Sequence, residues 1–171
     1  MIVQTALPLV FEILGCKRVE VAVSEASLSS DAGLLPIREF DRRLGWTAGF
    51  AAQLTDHRQA SEHALVEMVR QRVFGILAGY EDQNDHDTLR SDPVFKLVAG
   101  RVADASDLAS QPTLSRFENA VTAADLLRLE AWFLEQFILS FEQPPRTLTL
   151  DIDLFDDPTH GQQQLTFFHG Y

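Results

Sequence analysis

The stretch TLTLDIDL (147–154) decides how this chain is read. Leu148, Leu150, Ile152 and Leu154 fall on one side of an extended backbone, and Thr147, Thr149, Asp151 and Asp153 on the other. That period of two predicts a half-buried strand. The next residues, Asp156-Asp157-Pro158-Thr159-His160-Gly161, are turn chemistry, and Gln163–Phe168 has the pattern of a returning strand. A β-hairpin is therefore expected over 146–171. Gln143-Pro144-Pro145 separates it from the upstream sequence, because paired prolines stop a helix.

Upstream, over 1–143, the pattern is mainly helical. Val19, Val21 and Val23 alternate with Arg18, Glu20 and Ala22, which predicts one early strand. Pro36, Phe40 and Leu44 then suit a helix that Gly45 ends, and a short helix is expected over 47–54. From a cap at Ser61, Leu65, Met68, Val69, Val73, Ile76 and Leu77 share a helical face up to Gly79. The acid-rich segment 80–92 reads as an exposed connection, and Pro93 opens a helix through Val98. Ser110 and Pro112 can start another, and Thr122 with Asp125 has capping-box spacing. The helix that follows carries Leu126, Leu129, Phe133, Phe137 and Phe141 inward as far as Gln143.

The 171 residues suffice for one ordinary domain or two small ones, and 46% hydrophobic with 23% charged residues predicts a real core. With 14 Lys+Arg against 25 Asp+Glu the net charge is −11, so nucleic acid cannot be held by a uniformly positive surface. The lone Cys16 forms no internal disulfide and no CxxC pair, which suits a reducing compartment and makes cytoplasm the expected location. Pro8 and Glu12 interrupt the apolar run 6–14, so no signal peptide and no membrane span are expected.

Asp151 and Asp153 put two hard-oxygen carboxylates on one strand face, as many metal-dependent phosphoryl-transfer sites do; equally, they could solvate the outer face of an edge strand. Ser110, Gln111, Thr113, Ser115 and Arg116 match the first turns of a recognition helix, with 95–100 as its partner helix; the alternative is a capped core helix. Arg38, Arg42, Arg43, Arg70 and Arg72 could meet phosphates, but nearby Glu39, Asp41 and Glu67 favour salt bridges. His86 between Asp85 and Asp87, and His160 after Asp157, could join carboxylates on a metal. With no second histidine at helical spacing, polar loop roles are favoured for both.

The blocks GYEDQNDHDTLRSDPVFKLVAGR (79–101), LASQPTLSRFEN (108–119) and LDIDLFDDPTHGQQQLTFFHGY (150–171), with SDAGLLPIREFDRRLG (30–45) before them, resemble the amino-terminal third of a DDE-type insertion-sequence transposase of the DDE group 1 family. The resemblance implies an α+β chain: a helical amino-terminal region, then the first β-hairpin of an incomplete ribonuclease H-like catalytic domain. It further implies three acids holding two ions, Mg²⁺ or Mn²⁺, for DNA strand cleavage and transfer at transposon ends. Asp153 is the expected first acid and Asp151 the alternative. The other two acids would lie downstream of Tyr171, so the polypeptide is expected to be a truncated and inactive transposase. Two other roles stay open: a non-catalytic module that binds transposon ends, and a chain that only folds or pairs with a second copy, as a homodimer, through an exposed strand edge.

Overall fold

The computed structural model describes residues 9–14, 17–21, 29–58 and 61–153. Strands β1 (Leu9–Leu14) and β2 (Lys17–Val21) form an antiparallel hairpin. Among the described residues seven α-helices follow: α1 (Leu34–Leu44), α2 (Trp46–Ala52), α3 (Leu65–Leu77), α4 (His86–Leu89), α5 (Pro93–Ala99), α6 (Gln111–Asn119) and α7 (Ala123–Leu139). The early strand agrees with its alternation as far as Val21; Ala22 and Val23 lie outside the described residues. Its partner β1 lies in a stretch that reads in the sequence only as an apolar run. Phe11 stands opposite Val19, and that pair closes one side of the core.

Local chemistry sets most helix boundaries. Gly45, at φ 72°, ends α1 and starts α2. Asp92 Oδ1 accepts the amide N–H groups of Val94 (2.7 Å) and Phe95 (3.0 Å) ahead of Pro93. At α7 the Thr122 N–H donates to Asp125 Oδ2 (2.7 Å), and the Asp125 N–H returns to Thr122 Oγ1 (3.3 Å), so the capping box forms as its spacing predicts. The cap expected at Ser61 does not form. The helix begins after Ala64, whose N–H donates to the Glu67 carboxylate at 3.1 Å, so a first-turn acid replaces the hydroxyl.

The core lies where α3 and α5 cross under α1, with Phe74, Phe95, Val98, Leu35 and Leu108 almost completely buried. The buried face of α3 differs from the one its hydropathy suggests. Met68, Val69, Gln71, Phe74 and Gly75 are buried, while Ile76 and Leu77 are more than half exposed. Neighbouring helices chose the face, not hydropathy alone: α2 and α5 flank α3, and His86 lies directly on Gly75. A Cβ at Gly75 would sit 2.7 Å from His86 Cε1, so only glycine permits this approach. The acidic segment is correspondingly more than an exposed connection. It folds into a 3₁₀ turn at Gln83–Asp85 and α4, and it delivers His86 and Leu89 to the interior.

Helix α7 stops at Leu139, four residues short of Gln143. It is held at its start, where Thr55 N–H donates to Asp125 Oδ1 (2.9 Å) and Arg128 Nε to Gln53 O (2.8 Å). Trp132 then rests against Gly49 and packs edge-on to Trp46 and Phe50. Of the five side chains expected to point inward, Leu129 is buried, but Leu126, Phe133, Phe137 and Phe141 are 58%, 46%, 48% and 37% exposed. The strand expected over 147–154 is absent over its described part. Residues 147–153 carry no secondary structure and are all exposed. Alternation selects a face, but a strand exists only once its N–H and C=O groups have ladder partners, and none lies among the described residues. The return strand 163–168 lies outside them. No helix among the described residues is long and apolar enough to cross a membrane.

A buried polar knot joins four helices. Arg38 is 3% exposed; its Nε donates to Val98 O (2.9 Å) and its Nη1 to Asp41 Oδ2 (3.1 Å). Asp41 also accepts the Thr47 N–H (2.8 Å) and hydroxyl (2.6 Å), and Arg70 Nε donates to that same hydroxyl oxygen (3.1 Å). Removing one member of a buried pair leaves a charge without compensation. Asp41→Ala is therefore expected to destabilise the fold by about 3–5 kcal/mol, read from the urea midpoint at unchanged slope. A loss below about 1 kcal/mol would show that the knot contributes no more than a surface pair.

Candidate functional site

Asp151 and Asp153 sit in the extended, exposed segment beyond α7. As hard carboxylate oxygens they match Mg²⁺ or Mn²⁺ by type. In number they do not suffice: no group of three or more His, Cys, Asp or Glu able to hold a metal ion occurs among the described residues. These two side chains alone do not make a metal centre, and no reaction step follows from them.

The candidate recognition helix α6 is one of the better-anchored elements. Leu114 is fully buried, and α6 rests chiefly on α3 and the 83–85 turn rather than on α5, its expected partner. Its first N–H, that of Gln111, donates to Asp87 Oδ1 (3.1 Å), so an acid from α4 already occupies the positive helix start. Ser110 Oγ and Thr113 Oγ1 are 3.1 Å apart, and Arg116 Nη2 donates to Thr113 Oγ1 (3.3 Å). Ser110, Gln111, Thr113 and Ser115 are half-buried, which leaves Arg116 as the exposed member of the set.

Thr113 and Arg116 line a cleft of about 340 Å³ between α6, the start of α7 and the segment around 54–65. Arg58, His57, His63 and Ser61 line it too, as do Asp56, Glu62 and Asp125. The charges are mostly spent on one another. Arg58 holds both Asp56 oxygens at 2.7 Å, and Asp125 is engaged by Thr122, Thr55 and Arg128, its carboxyl held far below the ordinary range chiefly by Thr122. His63 sits 3.0 Å from an Arg101 nitrogen, and burial first, then that cation, lowers its pKa.

The α1 arginines pair with the acids beside them, as expected, whereas Glu67, the acid expected to hold the arginines of α3, pairs with Arg101 instead. Arg42 and Arg43 both pair with Glu39, whose carboxyl is lowered to about 2 chiefly by the Arg42 bonds, and Arg72 pairs with Glu118. Arg38 and Arg70 belong to the buried knot.

His86 corrects the loop role read for it: it is fully buried. Arg72 Nη1 donates to Nε2 (3.1 Å), and Gln71 Nε2, which donates to Ala109 O (2.8 Å), lies 3.4 Å from Nδ1. A protonated ring would face N–H with N–H on both sides. Burial, then the Arg72 charge, lowers its pKa from 6.5 to about 4. Periodicity gives no sign of this residue; a glycine facing it from mid-helix at position 75 is the one available signal. His160 lies outside the described residues.

A family model described as transposase DDE domain group 1 matches residues 11–171. No curated protein and no solved structure gives a significant match.

Because the folded His86 titrates below the unfolded value, its contribution is complete above pH 6.5. It is lost as pH falls toward 4, since the unfolded chain takes up the proton first. Stability should drop across that window by up to about 3 kcal/mol from this residue, with His63 adding in the same direction. His86→Asn should flatten the slope between pH 6.5 and 4 in urea titrations; an unchanged slope would assign it to other groups.

Proposed function

We propose that this chain, which belongs to the transposase DDE domain group 1 family, serves DNA transposition as the amino-terminal part of a DDE transposase, the helical region 1–143 leading into the catalytic sheet at 146–171. The family match over 11–171 is the observation that carries this reading. Asp153 is the first metal-binding acid, with Asp151 the alternative. The ion is Mg²⁺ or Mn²⁺, in keeping with the divalent metals that DDE transposases use and with the carboxylate donors present. When bound, such ions activate the attacking oxygen and stabilise the leaving oxygen at a phosphodiester. The chain's own part is to carry the first carboxylate on a segment whose apolar side, Leu148, Leu150 and Ile152, can pack once the sheet pairs. Transposon-end DNA is the substrate, and the cytoplasm is the compartment that Cys16 usage fits.

The same reading makes residues 1–171 inactive in isolation, since the described carboxylates near 151–153 number two and a two-metal centre needs more. The chain with Mg²⁺ or Mn²⁺ should leave supercoiled and transposon-end DNA uncut. Cleavage that disappears in Asp153→Asn would overturn the inactivity and at the same time identify the acid.

The second reading is a non-catalytic module that binds transposon ends through the cleft beside α6. Arg116, exposed at its rim and, among the described residues, bonded only within its own helix, favours it. A gel-shift titration tests it: binding that weakens steeply with salt and is reduced in Arg116→Ala supports the module, and no shift at low salt removes it.

A further inference from the structure

We infer that residues 81–88 form an acid-released strap over the start of α6, held shut by the neutral ring of His86 in the notch at Gly75. Of these residues His86 alone is buried. Both ends of the strap are fixed. Before it, the Tyr80 N–H donates to Gly75 O (2.9 Å) and the Tyr80 hydroxyl to Asp31 Oδ2 (3.3 Å). After it, Leu89 lies in the core and Arg90 O accepts the Leu108 N–H (3.0 Å). Between those ends, the ties to the body besides His86 are few among the described residues. Arg72 donates to the Glu81 carbonyl (3.2 Å), Gln83 to Glu118, and the Gln111 N–H to Asp87 Oδ1 (3.1 Å). All three are exposed, where such bonds compete with water and contribute little. Glu81, Asp82, Asp85 and Asp87 also repel one another along the strap. One ring therefore decides whether it stays closed.

The notch accepts that ring only when it is neutral. Arg72 and Gln71 present N–H groups to its two nitrogens, and Gln71 cannot turn its amide oxygen inward without losing the bond to Ala109 O. The charged groups that face the ring are Arg72 from α3, Asp85 from the 3₁₀ turn and Glu118 from α6. Helix α5 faces it with the Phe95 ring, edge-on at 6.3 Å. Arg72 is the charge in contact, so a second cation is repelled at close range. Closed, the ring is held at about 4 by burial and then by Arg72; open, it returns to water and to about 6.5. Below pH 6.5 the opening constant therefore rises, by up to about tenfold per pH unit and about 300-fold in all by pH 4. Opening lifts Asp87 from the Gln111 N–H and carries four carboxylates away from the side of α6 on which the 83–85 turn rests.

Hydrogen exchange read by mass spectrometry on the 171-residue chain, at about pH 7, 5.5 and 4 and corrected for intrinsic rates, tests this without any DNA. The amides of 81–88 should lose protection by about 300-fold between pH 7 and pH 4. Over the same range α1 and α5 should stay protected and tryptophan emission should not change. In His86→Asn the pH response of the strap should vanish. Gly75→Ala opens the strap without acid, since its Cβ would meet His86 Cε1 at 2.7 Å while alanine favours the helix around it. Its strap should lose protection at pH 7 with helical circular dichroism and core protection retained. A strap still protected at pH 4 would overturn the inference, as would a pH response that survives His86→Asn. A Gly75→Ala chain whose strap stays closed at pH 7 would do the same. So would one in which α1 and α5 lose protection together with the strap, because the ring would then hold the whole fold and not one segment.

Discussion

The Asp41 carboxylate organises the helical body. One side chain on α1 receives a guanidinium from its own helix and the N–H and hydroxyl of Thr47 in the first turn of α2; the guanidinium and hydroxyl it holds reach on to Val98 O of α5 and to Arg70 of α3. Four helices are thereby fixed in rotation as well as position, because hydrogen bonds are directional where apolar packing is not. Apolar burial supplies most of the drive to collapse. The knot selects which collapsed arrangement persists, since a rotated α1 or α3 would leave a buried charge without its partner.

A second constraint acts on the other side of α3. His86 fills the notch at Gly75 and is held by Gln71 and Arg72, and Arg72 continues to Glu118 on α6 and to the Glu81 carbonyl. The acid-rich segment 80–92 thus ties α3 to α6, with Asp87 seated on the start of α6. The polar residues that make the start of α6 look like a reading head are turned largely to internal bonds, and the face it offers outward is dominated by Arg116 and Glu118.

Much of the fold was legible because the signals are local. Gly45, Pro93 and the Thr122–Asp125 pair mark their helix ends through chemistry confined to a few neighbouring residues. The helix faces were less legible. Ile76 and Leu77 fit the apolar period of α3 yet lie exposed, because burial depends on which neighbours arrive and not on periodicity alone. His86 reads as a loop residue since nothing in its immediate sequence reveals a cavity supplied at Gly75, eleven residues before it. Of the candidate site, Asp151 and Asp153 were legible as a pattern. Their strand was not realised over 147–153, because a ladder is a non-local object that alternation cannot supply.

Both tryptophans of the chain, Trp46 and Trp132, belong to one aromatic cluster with their rings 5.9 Å apart, and Gly49 beneath Trp132 leaves no room for a larger side chain. That cluster is the seam by which α7 attaches to α2. Intrinsic indole emission from this protein is therefore a near-private optical report on one joint, silent about the hairpin and the histidine notch but responsive whenever the long helix lifts from the body.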